Sequence, residues 1–547
     1  MPTVETSKKD LEKLCGMKFT KEKLETALLF AKGELDGIDG DTLKIDIKDA
    51  NRPDLWSIEG IARVIKAGYG KSKGVPKWKM KNSGVDVFIE KSVSKSRPYI
   101  TCAIVKNVRV TEDLLIQMIQ LQEKVGDSYG RKRAEVGIGL YDFDKLKPPI
   151  YYRGYKPKDL EFVPLEFKVP MRLDEILMKH PKGIKYAHLL KGKENYPIVI
   201  DSANVVASMP PIINSETTGK VDDKTKNIFI ECTGFDWERV NVALNVIISA
   251  FLERGAQVET TKIHLPNGKV KVTPDFTPGK IKIDLKYVNK ISGLGLKINE
   301  VVKLLQNSNY DVKAKGNSLD VSYPAYRQDI LHPVDVVEDI IIAYGYNEIE
   351  PELVKVSTKG NESAEAIEID LVRNVCVGLG LQEVLTFTLV SKEAQETKMN
   401  LKDVKFVEIE NPVSENWCVF RKSIIPEILS FLATNKHSAY PQRLFEIGKT
   451  VHIDSKSETC VTEKNLLTIV ITDNKTNFTE IKSIMETIAQ NFGWNYSVER
   501  KEHPSFEKGK CAAIKIGKHK GVLGEISKDV LKNFNLSIPV SVLEIEL

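Results

Sequence analysis

What the chain lacks narrows its chemistry first. Its seven cysteines contain no CxxC pair, which argues against a zinc ribbon or a disulfide framework. Its eight histidines form no HExxH pair. No GxGxxG opens a helix after a strand, so a dinucleotide fold is not supported. Gly448-Lys449-Thr450 resembles the tail of a phosphate loop, but Arg443 stands where the loop's first glycine belongs. Long apolar runs are missing too. Val240 to Leu252 is interrupted by Asn241, Asn245 and Ser249, and MPTVETSKKD has no apolar signal core. The expectation is a cytoplasmic protein with no membrane contact. A net charge of +5 over 547 residues neither demands nor excludes a nucleic-acid partner.

What remains is an ordinary globular composition, 42% hydrophobic and 28% charged, long enough for three or four domains. Residues 1–75 read as a small α/β module. A polar, basic stretch over 78–97 suggests a boundary, and residues 90–271 form a second domain. Residues 272–350, with short helices and strands, suggest a winged-helix-like module. Residues 355–547 alternate helices with strands joined by short turns, which predicts a mixed or antiparallel sheet. Within these, KYAHLL is expected in strands and turns, LQEVLTFTLV as a strand and VEIE as another. The fold class is α+β and multidomain.

Four stretches carry candidate chemistry. In YPAYRQDILHPVDVVEDIIIAYGYN, Pro333 and Gly345 bracket a helix. Asp335, Glu338 and Asp339 crowd one face of it, with Asp329 just upstream. Acids at a helix N-terminus are favoured by its dipole alone. Crowded carboxylates are also what a hard cation such as Mg²⁺ requires. Around Pro210-Pro211, the strand IFIECTGFD places Glu231 and Thr233 on one side. An acid in an apolar strand must be paired or must serve a site, so this region is either a closed polar loop or a small-molecule pocket. Asn51 to Gly70, NRPDLWSIEGIARVIKAGYG, reads as a turn leading into a helix capped by Ser57. The basic triplet Arg131-Lys132-Arg133 reads as a solvated turn or a phosphate contact.

Taken in order, NRPDLWSIEGIAR, PPIINSETT with ECTGFD, YRQDILHPVDVVEDI with AYGYN, and NPVSENWCVFRKS with LFEIG resemble the phenylalanyl-tRNA synthetase β-subunit family, in its shorter archaeal and eukaryotic cytosolic type. The resemblance spans nearly the whole chain. It implies an α₂β₂ ligase joining phenylalanine to tRNA(Phe) through an adenylate, with ATP and phenylalanine bound mainly by the α subunit. Residues 355–547 would be a class II synthetase-like, antiparallel-sheet core without catalytic motifs. No GxGxxR occurs there, and LFEIG with Arg443 and Glu446 is only an echo of the ATP-gripping motif. The isolated chain is then expected to be inactive in aminoacylation. The resemblance assigns Asp329, Asp335, Glu338 and Asp339 to Mg²⁺. It makes the middle domain an editing domain that hydrolyses mischarged tyrosyl-tRNA, with Ser208, Asn214, Glu231 and Thr233 in its pocket. Such a site is needed because a pocket built for a phenyl ring rejects an added hydroxyl by only roughly a hundredfold. Neither an inserted OB-like domain after residue 75 nor a terminal anticodon-binding domain is evident. The alternative function is a noncatalytic tRNA-binding scaffold that has lost editing.

Overall fold

A computed structural model describes residues 3–354 and 356–547. The chain divides into two compact units, Met1–Leu353 and Val354–Leu547. Among the described residues, no helix is long and apolar enough to cross a membrane.

The first unit begins with β1 (Thr3–Ser7), α1 (Lys8–Cys15), α2 (Lys21–Leu28), β2 (Gly33–Asp39) and β3 (Thr42–Ile47), the strands pairing in the order β1-β3-β2. The turn at Arg52–Asp54 is locked by a fork: Arg52 donates from Nε and Nη2 to the two Asp54 oxygens at 2.9 and 2.8 Å. It delivers α3 (Ile58–Gly68), whose cap Ser57 accepts from the Gly60 amide. A Cβ on Gly60 would run into the Asp54 carbonyl, so only glycine permits this approach.

Next come β4 (Lys81–Ile89), β5 (Tyr99–Lys106), α4 (Glu112–Lys124), β6 (Val136–Asp142) and β7 (Ile150–Tyr155). The short pair β8 (Glu161–Phe162) and β9 (Met171–Arg172) leads to α5 (Leu173–Lys179) and α6 (Pro181–Tyr186). Then follow β10 (Tyr196–Asp201), β11 (Val206–Met209), β12 (Ile213–Asn214), β13 (Ile228–Gly234), α7 (Trp237–Glu253), β14 (Gln257–His264) and β15 (Val270–Thr273). The long strands build one sheet in the order β12-β11-β10-β7-β4-β14-β5-β13-β6, with β15 added to β14. It curls until its ends meet. The Asn214 amide donates to Leu140 O at 3.2 Å, and the Asp142 amide donates to Thr218 O at 2.8 Å. Val87, Cys102, Tyr141, Tyr152, Val199 and Phe229 pack inside the curl. On the outside, Ala103, Ile230 and Cys232 share a core with Ala243, Leu244 and Phe251 of α7.

Three expectations change here. The polar stretch over 78–97 contains β4, an interior strand between β7 and β14, so the sheet begins before residue 90. Its polar look arises because Val85, Val87 and Ile89 face inward while Asp86 and Phe88 face a half-exposed outer surface. In addition, Ile58, Ile61 and Ile65 of α3 join the α7 core, so the break near residue 75 separates elements but not cores. KYAHLL is helical, started by Pro181 behind the cap His180.

The unit ends with β16 (Gly279–Asp284), α8 (Leu285–Ser292), α9 (Ile298–Gln306), β17 (Asp311–Lys315), β18 (Ser318–Tyr323) and α10 (Pro333–Tyr344). The strands form an antiparallel sheet, β16-β18-β17, and all three helices bury their apolar faces on it.

The second unit contains α11 (Ala364–Gly378), β19 (Gln382–Glu383), β20 (Leu389–Val390), α12 (Lys392–Gln395), β21 (Val419–Phe420), α13 (Ile425–Thr434), β22 (Gln442–Ile453) and β23 (Val461–Thr472). It continues with α14 (Phe478–Asn491), β24 (Tyr496–Arg500), β25 (Phe506–Ile516), β26 (His519–Ile526), α15 (Lys528–Asn533) and β27 (Val540–Glu546). Its seven-stranded sheet, β19-β22-β23-β27-β26-β25-β24, is antiparallel apart from the β19–β22 edge. Helices α11 and α14 cover one face, and α13 and α15 cover the other. LQEVLTFTLV is not one strand. Only its ends pair, because Leu385 and Phe387 are 85% and 74% exposed and find no core to alternate against. VEIE contributes just a bridge, Glu408 to Val419.

Candidate functional site

Where the curled sheet closes, its lining side chains open onto a cleft of about 460 Å³. Strand β13 brings Glu231 to the floor, β11 brings Ser208, β12 brings Asn214, and the Pro210-Pro211 corner and α4 form walls. Glu231 stands opposite Gly139 in the β13–β6 register. Because Gly139 has no side chain, the ring of Tyr141 leans back over it; a Cβ there would collide with the Tyr141 hydroxyl. Tyr141 Oη donates to Glu231 Oε1 at 2.8 Å and lies 2.8 Å from Ser208 Oγ. Glu231 Oε2 is buried and has no hydrogen-bond partner. Burial pushes the Glu231 carboxyl up to about 7, although the Tyr141 hydrogen bond and the Arg97 charge pull the other way.

A buried acid with one oxygen satisfied and one unpartnered retains the capacity to accept one more hydrogen bond. A thiol nucleophile is not available beside it. Burial holds both Cys102 and Cys232 well above their ordinary range, so they stay neutral.

Of the four residues expected in the pocket, Ser208, Asn214 and Glu231 line the cleft and Thr233 does not. Thr233 is fully buried two residues further along β13. Its hydroxyl accepts from Arg97 Nε at 2.9 Å and its carbonyl accepts from Arg97 Nη2 at 2.7 Å. The basic triplet forms a turn with all three residues left-handed (φ 49°, 54° and 66°). The turn aims Arg133 at the cleft wall, where it donates to the carbonyls of Pro211 and Ile212 and pairs with Glu123. Tyr141, Gly139 and Arg133 were not singled out as pocket residues from sequence. The signal for the first two lay in VGIGLYD, where glycines alternate on one face of a strand and leave room for a neighbour.

The acidic helix is arranged differently. Arg327 forks onto Asp329, from Nε at 2.8 Å and Nη2 at 2.6 Å, and its Nη1 reaches Asp339 at 2.8 Å. Tyr310 also donates to Asp339, at 2.6 Å. Asp335 turns back to accept from the amides of Leu331 and His332. Glu338 pairs with Lys32 at 2.9 Å, and Lys32 also holds Asp49. Burial pushes Asp329 up, but Arg327 and then Arg52 more than offset it and hold the carboxyl at about 2.

The four acids expected to share one Mg²⁺ therefore do not converge. Two enclose a guanidinium, one caps its own helix, and one meets an ammonium. Mg²⁺ needs near-octahedral oxygen donors at short range, which this disposition does not fit. Among the described residues, no group of three or more His, Cys, Asp or Glu is placed to hold a metal ion.

In the second unit, the residues that echo an ATP-gripping motif are occupied. Glu446 is fully buried against Arg421 at 2.7 Å and Thr386 Oγ1 at 2.7 Å, and Arg443 pairs with Glu480. A side chain at Gly448 would strike the Arg421 guanidinium. The strand serves an internal ion pair.

Comparison with known proteins gives a consistent set of relatives. The phenylalanyl tRNA synthetase beta chain CLM domain family matches residues 349–547, the tRNA synthetase B5 domain family matches 281–346, and the B3/4 domain family matches 128–266. A phenylalanine–tRNA ligase beta subunit from Pyrococcus abyssi is 44% identical, with 100% of this chain and 99% of the relative covered. One from Methanococcus aeolicus is 36% identical, with 100% of both covered. A crystal structure of an N-terminal fragment of the Pyrococcus horikoshii phenylalanyl-tRNA synthetase beta subunit is 47% identical. It matches with a TM-score of 0.61 over 63% of this chain and 100% of the fragment.

Proposed function

The chain belongs to the phenylalanine–tRNA ligase β-subunit family, and from that premise we propose that it works as the noncatalytic, proofreading half of an α₂β₂ ligase in the cytoplasm. In this reading the α subunit binds ATP and phenylalanine and forms the adenylate. This chain contributes scaffold, contacts to tRNA(Phe), and hydrolysis of tyrosyl-tRNA(Phe). The Arg421–Glu446 pair supports the noncatalytic assignment, since the buried Glu446 of β22 is spent on an internal guanidinium rather than on a nucleotide.

One observation carries the editing assignment: the unpartnered Oε2 of Glu231 at the floor of an enclosed cleft. A tyrosyl side chain donates its phenol to that oxygen. A phenylalanyl side chain would leave it desolvated and unsatisfied, which is the kind of mismatch that discriminates strongly. Ser208 orients the phenol-binding group and Asn214 fixes the cleft edge. No protein nucleophile is required, because water attacks the ester directly.

The test is deacylation of tyrosyl-tRNA(Phe) by the chain assembled with its α subunit. Glu231→Ala is expected to abolish the preference for tyrosyl over phenylalanyl ester. Retained preference would favour the scaffold reading without editing at this cleft. Pyrophosphate exchange by the chain alone would overturn the noncatalytic assignment.

A further inference from the structure

Glu231 recognises a hydroxyl only if the rest of its hydrogen-bonding capacity is already fixed. An ionised carboxylate has two oxygens, each able to accept. Were both open to the cleft, the group could rotate and take water, and would reject a plain phenyl ring less sharply. Tyr141 closes one of the two. It approaches over Gly139, directly opposite Glu231, and its hydroxyl meets Oε1 at 2.8 Å. The hydroxyl carries one proton, although both Glu231 Oε1 and Ser208 Oγ lie 2.8 Å away. Ser208 Oγ and Glu231 Oε1 both accept from this one phenol, and an ionised carboxylate is the stronger acceptor of the two. The result is a phenol committed to Oε1, with Oε2 as the one oxygen left unpartnered.

We propose that Tyr141 is the positioning residue that sets the specificity of this cleft: an internal phenol saturates one oxygen of Glu231, so that the other selects a second phenol, that of a tyrosyl ester. This rests on the reading of the cleft as the tyrosyl-ester site. The chemistry is symmetrical. The protein's own tyrosine shows the carboxyl how a phenol is bound, and the ligand repeats the contact on the opposite lobe.

The groups around Glu231 leave it free to titrate. Arg97 is locked onto Thr233. Burial holds Cys102, Cys232 and Tyr152 above their ordinary ranges, so they remain neutral. At the cleft walls stand Glu123 on α4, Arg133, Lys182 on α6, Glu216 and Lys220. Burial brings Glu231 to about 7 against the downward pull of the Tyr141 hydrogen bond. Removing that bond therefore moves the titration upward.

Selectivity and pH dependence are read together, in the chain assembled with its α subunit. The wild type is expected to deacylate tyrosyl-tRNA with a rate that rises through about pH 7 as Glu231 ionises. In Tyr141→Phe the tyrosyl-to-phenylalanyl rate ratio is expected to fall at least about tenfold, and the pH midpoint to rise by roughly one unit. Ser208→Ala, which keeps every ring in place and removes the competing acceptor for the phenol proton, is expected to move the pH midpoint downward by less than one unit. If Tyr141→Phe does not fold, as read by circular dichroism, Ser208→Ala alone decides. An unchanged ratio and midpoint in folded variants overturns the assignment of Tyr141. If Glu231→Ala also keeps the wild-type ratio, the reading of the cleft itself fails, which is a separate result.

Discussion

Asp329 and Glu231 are both buried acids of the first unit, and they are held in opposite states. Asp329 receives two hydrogen bonds from Arg327 and sits at about 2; Glu231 receives one from a neutral phenol and sits at about 7. The difference is the partner's charge. A guanidinium compensates desolvation of a carboxylate, and a phenol does so only in part. The pH slopes are therefore opposed. For Asp329, lowered from an ordinary aspartate value of 3.8, stabilisation is present above about 4 and is lost as pH falls through about 2, worth about 2 kcal/mol. For Glu231, raised from 4.5, burial costs nothing below pH 4.5, and the cost grows as pH rises through about 7. Where the acids are matched by cations or by backbone amides, the cluster braces the fold. Glu231 keeps one oxygen unmatched by either.

The largest way to break this contrast is to remove the shared cation. Arg327→Met leaves Asp329 and Asp339 buried without their guanidinium and is expected to cost about 3–5 kcal/mol at pH 7 in urea unfolding. A cost below about 1 kcal/mol would mean that the acids have another counter-charge. Next, Glu231→Gln removes a titration and leaves the shape. Compared with wild type, it is expected to gain up to about 3 kcal/mol between pH 4.5 and 8, because only the wild type must ionise a buried acid over that range. Parallel pH profiles of thermal unfolding for the two proteins would contradict this. The smallest effect concerns Asp335. Asp335→Ala is expected to lose about 1 kcal/mol through its two amide contacts at the head of α10, equally with Mg²⁺ or with chelator. A loss that depends on Mg²⁺ would restore a metal to that helix.

Much of the fold could be read from local pattern. Pro333 and Gly345 bracket α10 as expected, Ser57 caps α3, and Pro210-Pro211 makes the corner beside β11. Local rules act over a few residues, so spacing reveals them. The cleft was legible through Glu231, because an acid in the apolar run IFIECTG calls for an explanation. Tyr141 was not, since its partnership depends on the sheet curling until β6 reaches β11, which no periodicity encodes. Thr233 shows the limit of the two-residue rule. It shares a side with Glu231, yet Arg97, 136 residues away in sequence, has taken its hydroxyl. The acids of α10 show the same limit from the other direction. Their spacing allows convergence, and Arg327, Lys32 and the helix's own amides draw them apart.

The curl of the first unit's sheet also has a mechanical consequence. Its ends are joined by a seam, Asn214 to Leu140 and Thr218 to Asp142, and Ser208 to Tyr141 lies across the same line. Outward travel of the Ser208–Asn214 edge would unfasten all three in one motion. The geometry around Glu231 is thus complete only while that seam stays fastened, which makes the cleft a clasp rather than a rigid socket.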